Sequence, residues 1–163
     1  MRYLRQLIIF VFLLTLCGCE DTSYHGSSVP TYPVRVTIDT KAVFVDFTRE
    51  NLNAYITVDK DWYKENGKNV LPTPVTDAWG YGGVVVYISM FGYDAYDLGC
   101  PYCAGRGHKS PCEMHGIYAE CPLCGEAYDL GCGYALPTTG LSREALRRYK
   151  TTFTGDKIIV TQQ

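Results

Sequence analysis

The chain has 163 residues, a length that allows one domain with a single hydrophobic core. Its 13% aromatic content and 20% charged content exclude the disordered and collagen-like classes. Fifteen basic residues against 17 acidic residues leave a net charge of −2, and the lysines and arginines form no cluster in the sequence. This charge pattern argues against a nucleic acid as partner, because a phosphate backbone requires a basic patch.

The first eighteen residues have the pattern of a lipoprotein signal peptide. Arg2 and Arg5 precede an apolar run over residues 7–16, which is too short to span a bilayer and is typical of a secretory leader. Residues 16–19, LCGC, resemble the bacterial lipobox, in which a small residue precedes the acylated cysteine. We therefore predict lipidation of Cys19 and an extracytoplasmic protein anchored in a membrane, at the outer membrane or facing the periplasm. An ordinary secretory leader that is cut nearby is the alternative.

The mature chain is predicted to consist of a tether and one β domain. Residues 19–33 are polar and rich in Ser and Pro, which indicates a flexible lipidated tether, and residues 34–163 form the domain. Alternation of apolar and polar residues, or enrichment in β-branched and aromatic residues, predicts strands over 33–39, 42–47 and 52–58. Residues 59–76 contain Asn-Gly and two prolines and predict a long connection.

The second half of the chain also reads as strands and turns. The apolar run Val84–Ile88 predicts a buried strand, and a tight turn over 91–93 leads into a partner strand over 94–98 that ends just before Cys100. A strand over 125–130, a helical turn that begins at Ser142 and reaches Arg148, and a closing hairpin formed by 149–153 and 157–160 follow. The predicted fold class is all-β.

Four cysteines have the spacing of a metal site. Cys100-x2-Cys103 and Cys121-x2-Cys124 are separated by seventeen residues, and two such turns can surround zinc or iron with a tetrahedron of thiolates. An exported chain meets an oxidising compartment, so disulfides are the alternative. The metal interpretation leaves two cysteines over, for which we consider a Cys112–Cys132 disulfide beside the metal.

Other chemistry is not indicated by the sequence. His108 and His115 flank Cys112 and are interpreted as solvated loop histidines, with metal ligation as the alternative. No motif of a hydrolase or a kinase occurs, and an electron carrier or a binding module is therefore favoured over an enzyme.

Over about residues 83–160 the chain resembles the Rieske iron-sulfur domain family. The matching features are Gly83–Tyr87, the strand 95–98 that runs into Cys100, Cys121-x2-Cys124-Gly125 followed by Tyr128-Asp129-Leu130, and the closing hairpin. The resemblance implies a small antiparallel β sandwich or barrel with two cysteine-bearing loops, which hold a 2Fe-2S cluster and pass one electron to a redox partner. It places Cys100 and Cys121 at cysteine-ligand positions, and Tyr128 at the tyrosine that hydrogen-bonds a ligand sulfur.

The chain also departs from the Rieske pattern at three positions. Tyr102 and Cys124 stand where the family has its ligand histidines, and Glu126 replaces a serine that hydrogen-bonds the cluster. We therefore expect a Rieske-like scaffold whose four cysteines hold an all-cysteine 2Fe-2S cluster, a single iron, a zinc ion or nothing. The predicted function is a membrane-anchored electron-transfer module. The alternative is a non-redox extracytoplasmic module that is stapled by zinc or by disulfides.

Overall fold

The computed structural model describes residues 27–43, 47–59 and 78–163, and over these ranges the chain consists mainly of short antiparallel strands. The strands are β1 (Arg35–Asp39), β2 (Tyr55–Val58), β3 (Val84–Ser89), β4 (Gly92–Asp97), β5 (Glu113–His115), β6 (Tyr118–Glu120), β7 (Ala127–Asp129), β8 (Leu136–Pro137), β9 (Arg148–Phe153) and β10 (Lys157–Thr161). Two single helical turns, α1 (Thr40–Val43) and α2 (Pro101–Ala104), accompany them in the described ranges. The predicted all-β class is confirmed.

Several predictions concern residues outside these ranges. The leader, Cys19, the beginning of the tether and nearly all of the connection predicted over 59–76 are not among the described residues. Within the described part of the chain, no helix is both long enough and apolar enough to cross a membrane.

The larger sheet has the strand order β1-β10-β9-β4-β3-β2, and its framework is the β3–β4 hairpin. Every residue of both strands is buried. Val84, Val86 and Ile88 pack into one core, whereas the alternate residues Val85 and Tyr87 pack into a second core that contains the cysteines. A strand that is buried on both faces reads as a continuous apolar run, and the buried strand predicted over 84–88 is present. The hairpin turn lies one step earlier than predicted, because Gly92 already pairs with Ser89.

The closing hairpin completes the first core. β9 and β10 pair as predicted, with Phe153 opposite Ile158, and β1 then adds to the outer side of β10. Val36, Val160 and Ile158 have no exposed surface. The apolar alternation in β1 therefore reflects burial of one face of an edge strand.

The smaller sheet has the order β5-β6-β7-β8 and carries the second cysteine loop. Its β5–β6 hairpin was not predicted, because each strand has only three residues and neither is rich in β-branched residues. Gly116 could have indicated the hairpin turn. It lies in the loop between the two strands with a φ of 63°, and short hairpin loops favour glycine at such positions. The strand predicted over 125–130 is present in shortened form as β7.

Two predicted elements are not present in the described residues. Residues 44–46 of the strand predicted over 42–47 lie outside the described ranges, and Ala42 and Val43 lie in α1, because the backbone turns after β1 and the Thr40 amide donates to the Asp156 carbonyl (2.9 Å). The segment after Ser142 forms no helix, although the Ser142 hydroxyl accepts a hydrogen bond from the Glu144 amide as a cap would.

The backbone groups that a helix after Ser142 would require are paired with other parts of the fold. The Leu146 amide donates to the Ala135 carbonyl (3.1 Å), and the Arg147 carbonyl accepts from the Asp97 amide (2.8 Å). Because these bonds are made to distant residues, tertiary structure overrides the local capping signal.

The Asp97 carboxylate at the end of β4 accepts four hydrogen bonds. The backbone amides of Tyr81 (2.7 Å), Gly82 (2.8 Å) and Gly99 (2.6 Å) donate to it, as does the hydroxyl of Tyr149 (2.6 Å). Burial and the nearby Asp97 charge raise the pKa of Tyr149, so its hydroxyl stays protonated and can donate. Asp97 itself is completely buried, and it fixes the chain just before the first cysteine loop.

Close backbone contact accompanies this carboxylate. A Cβ atom added to Gly82 would lie 2.2 Å from the amide nitrogen of Gly99, a separation that real structures do not tolerate. Only glycine fits at position 82, because any larger residue would clash with the backbone of Gly99.

The described end of the predicted tether is bound to the domain. Both the amide and the hydroxyl of Ser28 donate to the Glu144 carboxylate, and Arg147 donates to the carbonyls of Ser27 and Val29. Val29 is only 1% exposed. The domain therefore includes residues that lie before the predicted first strand.

Replacing Asp97 by Asn should destabilise the fold strongly. The amide group would bring N–H donors towards four existing donors, so we expect the free energy of unfolding to fall by about 3 kcal/mol. Tyr149→Phe is the matched control, because it removes one of the four donors and should cost about 1 kcal/mol. Urea unfolding followed by circular dichroism measures both variants, and equal losses in the two would contradict the assigned role of Asp97.

Candidate metal centre

The first cysteine loop is a single helical turn. Cys100 precedes α2, and the Ala104 amide donates to the Cys100 carbonyl (2.9 Å), which closes the turn. Pro101 stands at the first helical position, where the missing N–H has no cost. Residues three apart on a helical turn lie on the same side, so the side chains of Cys100 and Cys103 project together. The sequence predicted this loop without its helical turn.

The second cysteine loop is a tight turn between β6 and β7. The Cys121 amide donates to the Glu126 carbonyl (2.8 Å), and the Gly125 amide donates to the Cys121 carbonyl (2.8 Å). Gly125 has a φ of 74°, while no atom lies within 4 Å of the place where its Cβ would be. The glycine is therefore needed for its backbone conformation and not for space.

The two loops bring the four predicted cysteines together. Their Sγ atoms all lie within 4.8 Å of one another, and two close contacts cross between the loops: 3.7 Å from Cys100 to Cys124, and 3.6 Å from Cys103 to Cys121. A tetrahedral ion with metal–sulfur bonds of about 2.3 Å separates its ligand sulfurs by about 3.8 Å. The donor set and its spacing therefore fit one metal ion.

Burial and hydrogen bonding set the protonation of the thiols. A hydrogen bond from the Cys112 thiol lowers the pKa of Cys100 to about 4 against the effect of burial, and the Tyr128 hydroxyl adds to this. Burial raises the pKa of Cys103 far above its ordinary value and raises that of Cys124 to about 11. Without an ion, Cys103 and Cys124 are therefore protonated at neutral pH. A bound cation has to displace these protons.

Tyr128 lies beside one sulfur of the group. Its ring is completely buried, and its hydroxyl lies 3.4 Å from the Sγ of Cys100. A second hydroxyl, that of Ser110, lies 3.2 Å from the Sγ of Cys121 and was not identified from the sequence. Its position depends on a backbone bridge between Gly99 and Pro111, which no local pattern indicates.

Of the three residues that depart from the Rieske pattern, Cys124 belongs to the sulfur group, whereas Tyr102 does not. Tyr102 stacks under the guanidinium of Arg106, 3.5 Å from the ring centre. His108 and His115 are exposed, and in the described ranges the group of possible metal ligands consists of the four cysteines alone. Both histidines are therefore solvated, but only His108 lies in a loop, since His115 is the last residue of β5.

Glu126 is completely buried, and its carboxylate is hydrogen-bonded to the loop before β9. Its carboxylate accepts from the amide and hydroxyl of Thr139 and from the amide of Ser142. Burial acts to raise the pKa of Glu126, but these hydrogen bonds outweigh it and hold the pKa below the ordinary value. Glu126 therefore fastens the loop before β9 to the turn that carries Cys124.

The disulfide considered between Cys112 and Cys132 is not formed in the structure. All six cysteines in the described residues are free thiols. Cys112 is 4% exposed and packs among the cysteines of the second core, whereas the Cys132 thiol donates to the Asp129 carbonyl (3.2 Å). The two therefore occupy different surroundings, which spacing along the sequence does not reveal.

No protein-family model matches the chain, and no curated protein matches it in sequence. Solved structures that it is similar to are ferredoxins or contain one. A chain in the complex of reduced oxygenase and oxidized ferredoxin in carbazole 1,9a-dioxygenase is 12% identical with a TM-score of 0.44, the match covering 82% of this chain and 96% of that one.

Two further solved structures are ferredoxins of named bacteria. The ferredoxin of carbazole 1,9a-dioxygenase from Nocardioides aromaticivorans IC177 is 17% identical with a TM-score of 0.43, and the match covers 81% of this chain and 99% of that one. The Sphingomonas yanoikuyae B1 ferredoxin is 13% identical with a TM-score of 0.40, over 71% of this chain and 93% of that one. These likenesses concern the fold alone.

Proposed function

We propose that the protein binds one metal ion through the thiolates of Cys100, Cys103, Cys121 and Cys124. The observation that carries this proposal is the mutual separation of their Sγ atoms, at most 4.8 Å, with two separations close to the edge of a metal–thiolate tetrahedron. When bound, zinc supplies a crosslink between the loops, and iron supplies in addition a centre that carries one electron.

The compactness of the sulfur group favours a single ion over a 2Fe-2S cluster. A cluster divides four cysteines between two irons and needs room for inorganic sulfide between them, so sulfurs on different irons stand farther apart than sulfurs on the same iron. The four Sγ atoms do not separate into two distant pairs. The two loops would also have to move apart to admit a cluster.

Electron transfer to a redox partner is the second candidate function, and the exposure of one loop favours it. Cys100, Cys103 and Cys121 are at most 2% exposed, but Cys124 is only partly buried and its neighbour Leu123 is 60% exposed. A ligand at the surface gives a partner protein a short route to the metal, whereas a purely structural ion needs no such route. This role requires iron, because zinc has no redox chemistry.

We also propose that the protein is anchored to a membrane through Cys19. The apolar run over 7–16 and the LCGC sequence at 16–19 support it. Ser28 is hydrogen-bonded to the domain, so the nine residues from Cys19 to Ser27 could span at most about 32 Å if fully extended. Ser28 also lies beside Gly105 at the end of α2, so this anchor would hold the first cysteine loop near the bilayer surface.

Metal analysis of the protein purified from its own membrane fraction tests the proposed centre. We expect one zinc or one iron per chain and no inorganic sulfide, because the four sulfurs surround a single ion. An iron-loaded sample should absorb in the visible through thiolate-to-iron charge transfer, and a zinc-loaded sample should be colourless. Iron with equimolar sulfide would overturn the single-ion proposal, and a zinc-only sample would overturn electron transfer.

Replacing Cys121 by Ser should abolish stoichiometric metal binding and lower the melting temperature. The variant loses one of four thiolates and the crosslink that the ion provides. Cys132→Ser is the matched control, since Cys132 is a free thiol outside the group of four and should leave the metal content unchanged. Elemental analysis and calorimetry measure both variants. Full metal content in Cys121→Ser would show that the assigned ligands are wrong.

Replacing Cys19 by Ala should release the protein from the membrane. Without acylation, only the apolar run over residues 7–16 could hold the chain at the membrane, and this run is too short to span a bilayer. We therefore expect the variant to move from the detergent phase to the aqueous phase in a detergent phase-partition experiment. Cys17→Ala is the matched control and should stay in the detergent phase. Release by both substitutions, or by neither, would contradict anchoring at Cys19.

A further inference from the structure

The hydroxyl of Ser110 is directed at a sulfur of the proposed metal centre. Its Oγ lies 3.2 Å from the Sγ of Cys121, and the two residues are 6% and 0% exposed. A buried hydroxyl requires a hydrogen-bond partner, and a thiolate is a stronger acceptor than a thiol. This contact is therefore stronger when Cys121 is a metal-bound thiolate than when it is a neutral thiol.

Backbone pairing positions this hydroxyl. Gly99 and Pro111 form an isolated antiparallel bridge, in which the Cys100 amide donates to the Ser110 carbonyl (3.0 Å) and the Cys112 amide donates to the Leu98 carbonyl (2.7 Å). In an antiparallel pair, directly opposed residues point to the same face. Ser110 therefore points to the same side as Cys100, which is the side of the sulfurs.

The bridge joins Ser110 to the first cysteine loop, while its hydroxyl reaches the second. Cys100 belongs to the first loop and shares a backbone hydrogen bond with Ser110, whereas Cys121 opens the second loop. The Ser110 contact is thus a link between the loops that does not pass through a metal ion. Pro111 suits the centre of the bridge, because no hydrogen bond in it requires an amide at that position.

We propose that Ser110 is a positioning residue of the metal centre, whose hydroxyl donates to the Cys121 thiolate and sets the electron density on that ligand. This inference rests on the proposed four-cysteine site. Hydrogen bonds to ligand sulfurs withdraw charge from the metal–sulfur bond and tune the ion. The hydroxyl is neutral, so it does this without adding charge to the site.

Cobalt(II) loaded into the full protein measures the effect, because thiolate-to-cobalt charge transfer reports the electron density on the sulfurs. In Ser110→Ala the Cys121 thiolate loses its hydrogen bond and becomes a stronger donor, so we expect one cobalt per chain with the charge-transfer band shifted to longer wavelength. Ser110→Thr keeps a hydroxyl and should restore the wild-type band.

Ser89→Ala is the matched control, since Ser89 is another buried serine that hydrogen-bonds Asp94 in the β3–β4 hairpin. Its cobalt band should be unchanged. An identical band in Ser110→Ala and wild type, each with one cobalt bound, would overturn the role of Ser110 and leave the proposed function standing. Failure of the wild type to bind cobalt would overturn the proposed function, and this inference with it.

A measurement without substitution covers the case in which Ser110→Ala does not fold. In the zinc-loaded wild type, the Ser110 hydroxyl proton should give a resolved proton resonance with a nuclear Overhauser contact to the β-protons of Cys121. A hydroxyl proton bonded to a buried thiolate exchanges slowly with water. Absence of this resonance in a protein that holds one zinc would overturn the inference.

Discussion

The structure depends on a single buried carboxylate. Asp97 ends β4, and three backbone amides and one tyrosine hydroxyl donate to it. Hydrogen bonds to a buried charge are stronger than neutral ones, and the loss of their acceptor would leave four donors without a partner. Through Gly99 the carboxylate fixes the chain one residue before Cys100. The direction in which the first cysteine loop leaves the sheet is therefore set before any metal is present.

The β3–β4 hairpin, which ends at Asp97, contributes side chains to both cores. Val86 and Ala95 belong to the core that also contains Val36 of β1, whereas Tyr87 and Tyr96 belong to the core that contains the cysteines. The second core is covered by the smaller sheet, whose strands have only two or three residues. Such short strands have little stability of their own. A metal ion between the loops would crosslink the weaker half of the domain to the stronger half.

Sequence analysis succeeded where one local pattern determines the outcome. The continuous apolar run of β3, the closing hairpin and the CxxC spacing each contain their own signal, and the structure brings the four predicted cysteines together. It failed where hydrogen bonds to residues distant in the sequence determine the local structure. The capping signal at Ser142 is overridden by bonds to Ala135 and Asp97, and the position of Ser110 depends on its pairing with Cys100. Asp97 resembles any other acid in the sequence until the fold brings its four donors to it.

The crosswise arrangement of the sulfurs suits both alternatives for this site, a bound metal ion and a pair of disulfides. Two close contacts join Cys100 to Cys124 and Cys103 to Cys121, so each pair connects the first cysteine loop to the turn after β6. A disulfide within either pair would tie the same two loops as a metal ion does. Stabilisation of the fold is therefore common to both forms, and only the bound ion distinguishes them. The Ser110 hydroxyl favours the metal form, because the Cys121 sulfur beside it is a strong acceptor as a thiolate and a weak one in a disulfide.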